Sequence, residues 1–174
     1  MMTEEVWDLM ISTYEYERRR TRQHFEEVCK RSSYQLMELR TNSSLQGFIG
    51  FWDLGKWVVI EHMAVAKGEQ SEKVIPILLQ RLLSEVHQKA IVVAETDLIL
   101  DEVQKINCQL YKNTGFIENP YVYIQPSYHK GMASFPQRLL SYPSSISYEQ
   151  FKDLRSLLYR FVYGKKKLMG AIAK

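Results

Sequence analysis

The spacing of apolar and polar positions changes period several times along the chain, and each change marks an element. Thr3 followed by Glu4 and Glu5, with Val6, Leu9 and Met10 on one face, predicts a short capped helix. A second helical stretch is predicted from about Glu15 to Lys30. Phe25, Val28 and Cys29 form its apolar stripe, and Lys30 and Arg31 suit its C-terminal dipole. Tyr34 to Arg40 and Leu45 to Asp53 read as two strands of a hairpin that turns at Asn42-Ser43-Ser44. The turn Leu54-Gly55-Lys56 leads into Trp57 to Val65, the most strand-like run in the sequence.

Beyond Val65 the pattern alternates between the two periods. Ala66 to Glu72 is a polar loop, and Val74 to His87 carries helical spacing in Ile77, Leu78, Leu82 and Val86. Ile91 to Ala94 is a short apolar strand of the kind buried centrally in sheets. Asp101 to Asn113 is helical, closed by Thr114-Gly115. Phe116-Ile117, Tyr121 to Gln125 and Gln137 to Tyr142 are strand material. Ser147 then caps a last helix with Phe151, Leu154, Leu158, Phe161 and Val162 on its apolar face. With no internal repeat and no low-complexity linker, this order predicts a mixed α/β sheet in one domain over residues 1–174.

Composition narrows the class. The 174 residues are 45% hydrophobic and 12% aromatic, enough apolar surface for one globular core. The longest apolar run is five residues and the N-terminus is acidic, so neither a membrane span nor a signal peptide is expected. Two cysteines, Cys29 and Cys108, build neither a disulfide framework nor a zinc cluster, which suits a cytoplasmic protein. The net charge of +3 is concentrated in a basic tail, residues 164–174, whose four lysines leave residues 1–164 at −1. A nucleic-acid partner is therefore not expected.

Generic site chemistry is sparse. The four histidines are scattered, and there is no HExxH, no nucleophile elbow, no phosphate loop and no dinucleotide fingerprint. What stands out is a succession. A strand ending Glu61-His62-Met63-Ala64-Val65 precedes a polar loop and an amphipathic helix. A short apolar strand and a helix ending Leu110-Tyr111-Lys112-Asn113-Thr114-Gly115-Phe116 follow. This succession resembles the GNAT N-acetyltransferase superfamily, in which a helix ending Leu-Tyr-x-x-x-Gly-Phe recurs. The Glu-His-x-Ala-Val strand, Asn119-Pro120-Tyr121, Gln125-Pro126-Ser127-Tyr128, Leu140-Ser141-Tyr142-Pro143 and Glu17-Arg18-Arg19 are similar to one bacterial subgroup.

The resemblance implies a mixed, mostly antiparallel sheet flanked by helices, with two parallel strands that splay apart to admit the pantetheine arm of acetyl-CoA. The sequence itself divides into a core followed by a C-terminal strand-and-helix appendage over residues 135–163, and it shows no strand before the first helix, so the first strand of that fold is expected to be reduced or missing. Met63, Ala64 and Val65 with Ile91 to Ala94 would be the splayed pair. Gln70, Ser71, Glu72, Lys73 and Val74 would form the pyrophosphate loop, where helix N-terminal amides favour anions. Gln104, Asn107 and Tyr111 would complete the cofactor contacts. The superfamily loop pattern is Q/R-x-x-G-x-G/A, and here both glycine positions are filled, by Lys73 and Ile75. A β-branched Ile75 crowds close approach to the amides, and Pro76 predicts a late or distorted helix start.

By the same resemblance Tyr111 is the acid that protonates the departing thiolate, a task for which a phenol is reasonably matched. Glu61 and His62 are the candidate bases. Strict alternation sends them to opposite faces, Glu61 with Trp57, Val59 and Met63, His62 with Val58, Ile60 and Ala64. Glu61 reads equally as half of a salt bridge to Arg18 or Arg19, and His62 as a buried structural residue. Tyr14, Tyr16, Arg18, Arg19, Tyr123 and Tyr128 are the groups expected to shape an acceptor pocket, and Cys108 is expected to be an inert buried thiol. The implied activity is direct acetyl transfer from acetyl-CoA to a primary amine of a small molecule or peptide, by a monomer or homodimer. The filled glycine positions support an alternative, a GNAT-fold binding or regulatory module without catalysis.

Overall fold

The computed structural model describes residues 2–68, 71–88 and 90–165. Among them no helix is long and apolar enough to cross a membrane. Helix α1 spans Glu4–Thr13, with the Thr3 hydroxyl accepting from the Val6 amide, and no strand precedes it among the described residues. The predicted second helix is divided. A 3-10 turn, Tyr16–Arg18, is followed by extended backbone and then α2, Arg22–Cys29. Thr21 is the reason, since its hydroxyl accepts from the His24 amide and starts a new helix there.

Strands β1 (Tyr34–Thr41), β2 (Ser44–Asp53) and β3 (Trp57–Val65) form an antiparallel meander. Its first turn places Asn42 and Ser43 at positive φ, the geometry of a two-residue hairpin turn. Helix α3 spans Ser71–Glu85, so its start is not late: Pro76 lies inside it, without an N–H to close the first turns. Strand β4 (Ile91–Asp97) pairs parallel with β3, and α4 (Glu102–Asn113) follows under an Asp101 cap. Gly115, at φ 97°, carries the chain out of α4 in the left-handed region.

Short strands β5 (Ile117–Glu118) and β6 (Tyr123–Gln125) lead to β7 (Phe135–Tyr142). The sheet runs β1-β2-β3-β4-β7-β5, with β6 also on β7. Residues 135–163 are therefore not an appendage. β7 lies inside the sheet between β4 and the short strands, and removing it would strip β4 of one hydrogen-bonded neighbour. Helix α5 (Tyr148–Leu157) starts in a Ser147/Gln150 capping box and ends in a π-helical turn, Leu158–Val162. One core, on the α1, α2 and α5 side, contains Val6, Phe25, Trp52, Val59, Leu139 and Leu154. The other, on the α3 and α4 side, contains Ile49, Ile60, Leu78, Leu82, Ala94 and Tyr111.

Candidate active site

Two irregularities in β3 create the site. Strands β3 and β4 are paired from Trp57/Ile91 to Ile60/Ala94 and no further. Beyond that point Glu61–Val65 and Glu95–Asp97 diverge, so Ile91–Ala94 is the paired part of β4 and the diverging part is Glu95–Asp97. The second irregularity is a β-bulge. Gly50 of β2 stands opposite His62 and Phe51 opposite Ile60, which leaves Glu61 as the extra residue. Gly50 is required across from it, because a Cβ there would collide with the Tyr34 hydroxyl.

The bulge overturns the expected alternation. Trp57, Val59 and Ala64 lie in the α1/α2/α5 core, while Val58, Ile60, Met63 and Val65 meet the α3/α4 core. Glu61 and His62 both turn to the first side, where Glu61 meets Trp52 and His62 meets Phe25. A carboxylate and an imidazole expected on opposite faces therefore stand together, Nδ1 3.8 Å from Oε2.

Neither has the environment of a base. Arg20, 1% exposed, gives Nε and Nη2 to Glu61 Oε1 at 3.0 and 2.5 Å, and Trp52 Nε1 donates to Oε2 at 3.1 Å. Burial works to raise the Glu61 pKa, but Arg20 and these donors outweigh it and hold the carboxyl below its ordinary value. The salt-bridge reading of Glu61 thus holds, with Arg20 as the partner instead of Arg18 or Arg19. Arg18 pairs with Asp97 at 3.0 Å, and Arg19 donates to the Tyr14 carbonyl. His62 is enclosed by the rings of Tyr14, Phe25 and Tyr128, and burial pushes its pKa down to about 4, so the ring is neutral near pH 7.

The divergence opens a cleft of about 450 Å³. Of the residues expected to bind or react, Glu61, His62, Met63, Val65, Gln104, Asn107 and Tyr111 line it. Ala64 and Val74 are instead buried in the cores, because the bulge and the helix register turn them inward. Glu72 and Lys73 are exposed in the first turn of α3, outside the cleft lining, and Ser71 begins that helix. Gln70 and residues 166–174 of the basic tail lie outside the described residues. Ile75 does line the cleft, as its side chain at a glycine position implied. Gln104 is partly committed, its Oε1 accepting from the Leu100 amide at 2.6 Å.

Met63 stands opposite Ile49 in the β2–β3 ladder, yet its backbone polar groups turn to the open edge. There its N–H donates to the Tyr14 hydroxyl (3.0 Å), and that hydroxyl donates to the Met63 carbonyl (2.8 Å). Tyr14 is a lining residue, and burial raises its pKa to about 12. Tyr111 is buried with its hydroxyl 4.0 Å from Met63 Sδ, and burial raises its pKa well above the ordinary phenol. Of the other expected acceptor groups, Tyr16 stacks on His129 outside the lining, and Tyr123, buried, and Tyr128, half-buried, are also outside it.

Glu95 is a candidate site residue that sequence reasoning missed. It lies on the diverging part of β4, lines the cleft, and accepts from Tyr123 (Oε1, 2.9 Å) and, closely, from Tyr163 (Oε2). Burial raises its pKa, the two phenols pull it down and Glu61 pushes it up again, leaving it at about 7. The available signal was a carboxylate continuing an apolar strand, Ile91 to Ala94, into Glu95-Thr96-Asp97. Among the described residues no cluster of His, Cys, Asp or Glu could hold a metal ion.

No family model and no curated protein matches the chain. Solved structures do. A putative GNAT-family acetyltransferase from Bacteroides thetaiotaomicron superposes with a TM-score of 0.84 at 23% identity, covering 92% of this chain and 91% of that one. The ribosomal-protein-S18-alanine N-acetyltransferase of Escherichia coli gives 0.59 at 17% identity, over 86% and 93%. A GNAT family acetyltransferase from Elizabethkingia anophelis, solved with acetyl-CoA bound, gives 0.52 at 17% identity, over 70% and 82%. At these identities the likeness is one of architecture, and with the seven-stranded sheet and its diverging parallel pair it establishes that this chain has the GNAT fold.

Proposed function

We propose that the protein is an acetyl-CoA-dependent N-acetyltransferase acting on a primary amine of a small molecule or peptide. The observation that carries this reading is the open edge of β3, where the Met63 N–H and C=O face a cleft whose lining includes the buried Tyr111 phenol and the half-buried Glu95 carboxylate. An acyl donor laid along that edge takes over the hydrogen bonds now made by Tyr14. The Met63 N–H then polarises the thioester carbonyl in a low-dielectric setting. The first-turn amides of α3, with Lys73 beside them, face the diphosphate.

The amine nitrogen attacks the thioester carbon, the C–N bond forms and the C–S bond breaks. The proton lost by nitrogen passes to Glu95, whose pKa of about 7 suits a base at neutral pH. Sulfur receives a proton from Tyr111, which burial keeps protonated until the thiolate forms. Solvent then restores both groups. Glu61 is a positioning residue in this scheme, holding the bulged strand through Arg20 and Trp52.

The test is thiol release from acetyl-CoA over a panel of primary amines, comparing wild type with Tyr111→Phe. The substitution is expected to lower kcat about 10²-fold, the low end for a proton donor because a thiolate leaves fairly well unaided. An unchanged kcat at every pH would remove Tyr111 from the reaction. One observation favours a second reading, a binding module without catalysis: the Ile75 side chain enters the cleft where the superfamily has glycine. That reading is preferred if no amine supports thiol release while the protein still binds a partner.

A further inference from the structure

The C-terminal helix does not end as an α-helix, and the way it ends brings a side chain to the cleft. Along α5 the buried positions Phe151, Leu154 and Leu158 keep helical spacing. Continued at that spacing, Phe161 and Val162 would follow them inward; Val162 does, yet Phe161 is 49% exposed, and Tyr159 and Tyr163 are buried in its stead. The cause is the π-turn Leu158–Val162, in which the Tyr163 amide bonds to the Leu158 carbonyl, five residues back, at 3.0 Å. One extra residue per turn delays the following side chains by one position, so Tyr163 turns inward.

The turn is anchored from three directions. Arg20 Nη2 donates to the Val162 carbonyl at 2.6 Å, Tyr159 donates its hydroxyl to the Ile124 carbonyl at 2.6 Å, and the Tyr163 ring packs on Tyr128. The result is the Tyr163 hydroxyl on Glu95 Oε2, while Tyr123 holds Oε1. A carboxylate oxygen accepts two hydrogen bonds, so each oxygen keeps one free direction.

The geometry points to Tyr163 as a positioning residue for Glu95: the π-turn delivers its hydroxyl to Oε2, fixes the carboxylate rotamer and makes the C-terminal helix part of the proton-accepting unit. This rests on the proposed role of Glu95 as the base. Other charged or titratable groups surround the cleft that Glu95 lines, and of them Glu61 acts on it directly. Glu61 and His62 lie on β3, Asp97 on β4 and Arg18 before α2, and the rings of Tyr128 and Tyr159 lie behind it. Among the described residues, Tyr123 and Tyr163 are the two that donate hydrogen bonds to its carboxylate.

The experiment is a carboxyl ¹³C NMR titration of full-length protein labelled at glutamate, with the Glu95 signal assigned from its loss in Glu95→Gln. Tyr163→Phe keeps the ring and removes only the donor to a charged group. It is expected to raise the Glu95 midpoint by about one to two pH units. Tyr159→Phe loosens the same helix end without touching Glu95 and is expected to leave the midpoint in place. The acid limb of the transfer rate moves upward with the midpoint in Tyr163→Phe, at unchanged acetyl-CoA affinity. An unmoved midpoint in Tyr163→Phe, or an equal movement in Tyr159→Phe, overturns the assignment. If the midpoint moves as expected but Glu95→Gln transfers acetyl at the wild-type rate, Tyr163 still positions Glu95 and it is the base assignment that fails.

Discussion

Glu61→Ala is expected to destabilise the fold by about 3–5 kcal/mol, the cost of leaving a buried charge without its partner. The charge is the Arg20 guanidinium, 1% exposed, whose remaining partners are the Val162 carbonyl and the neutral ring of His24. The Trp52 indole N–H loses its acceptor as well. Chemical denaturation measures the loss, and the double variant Arg20→Met/Glu61→Met is expected to recover much of it, since an apolar pair of similar volume avoids desolvating two charges. A pH dependence follows. The Glu61 pKa is lowered in the fold, so its contribution is complete above the unfolded value and fades as pH falls through the folded one. Loss of under about 1 kcal/mol in Glu61→Ala would mean that Arg20 is not held by this pair.

Glu95→Gln is expected to lower acetyl transfer by about 10²–10⁴-fold, the usual contribution of a positioned base. The same substitution is expected to stabilise the protein in alkali. A carboxyl raised from 4.5 to about 7 favours the fold below its unfolded pKa, and that contribution is lost as pH rises through 7. At pH 8 the wild type therefore carries a buried charge that Gln does not, and the variant should be more stable by about 1–3 kcal/mol. Near pH 4 the two should unfold alike. A variant that is slower but no more stable at pH 8 would show that Glu95 is not raised by burial. One that is more stable but equally fast would show that the base lies elsewhere.

Much of this architecture was legible because local signals agreed with it. The meander, the capped helices and the Leu-Tyr-x-x-x-Gly-Phe ending of α4 lie where their periodicity and caps put them. The site was less legible, for three physical reasons. A β-bulge inserts one residue without changing composition, so period-2 reasoning carried Glu61 and His62 to opposite faces when they share one. A π-turn does the same to a helix, and period-3.6 reasoning chose Phe161 over Tyr163. Finally, Arg20 sits in the run Arg18-Arg19-Arg20, where nothing local marks one arginine for burial. Its partner is 41 residues away, and only the fold brings them together. Thr21 was the overlooked local cue, a hydroxyl that ends the extended segment and caps the new helix directly after Arg20.

The filled glycine positions weigh less on the backbone than expected, because α3 begins at Ser71 in spite of Pro76. Their weight falls on the cleft, through Ile75. A donor seated on the β3 edge has to pass that side chain and displace the Tyr14 hydroxyl. The most direct measurement is therefore an acetyl-CoA titration followed at the backbone amides of ¹⁵N-labelled protein. Saturable shifts are predicted at Met63 and Val65 and in the first turn of α3, with the Met63 amide changing most as Tyr14 gives way to the thioester oxygen. No shift at millimolar acetyl-CoA, or shifts confined to residues outside the cleft, would contradict acyl-donor binding on this strand and with it the proposed acetyltransferase function.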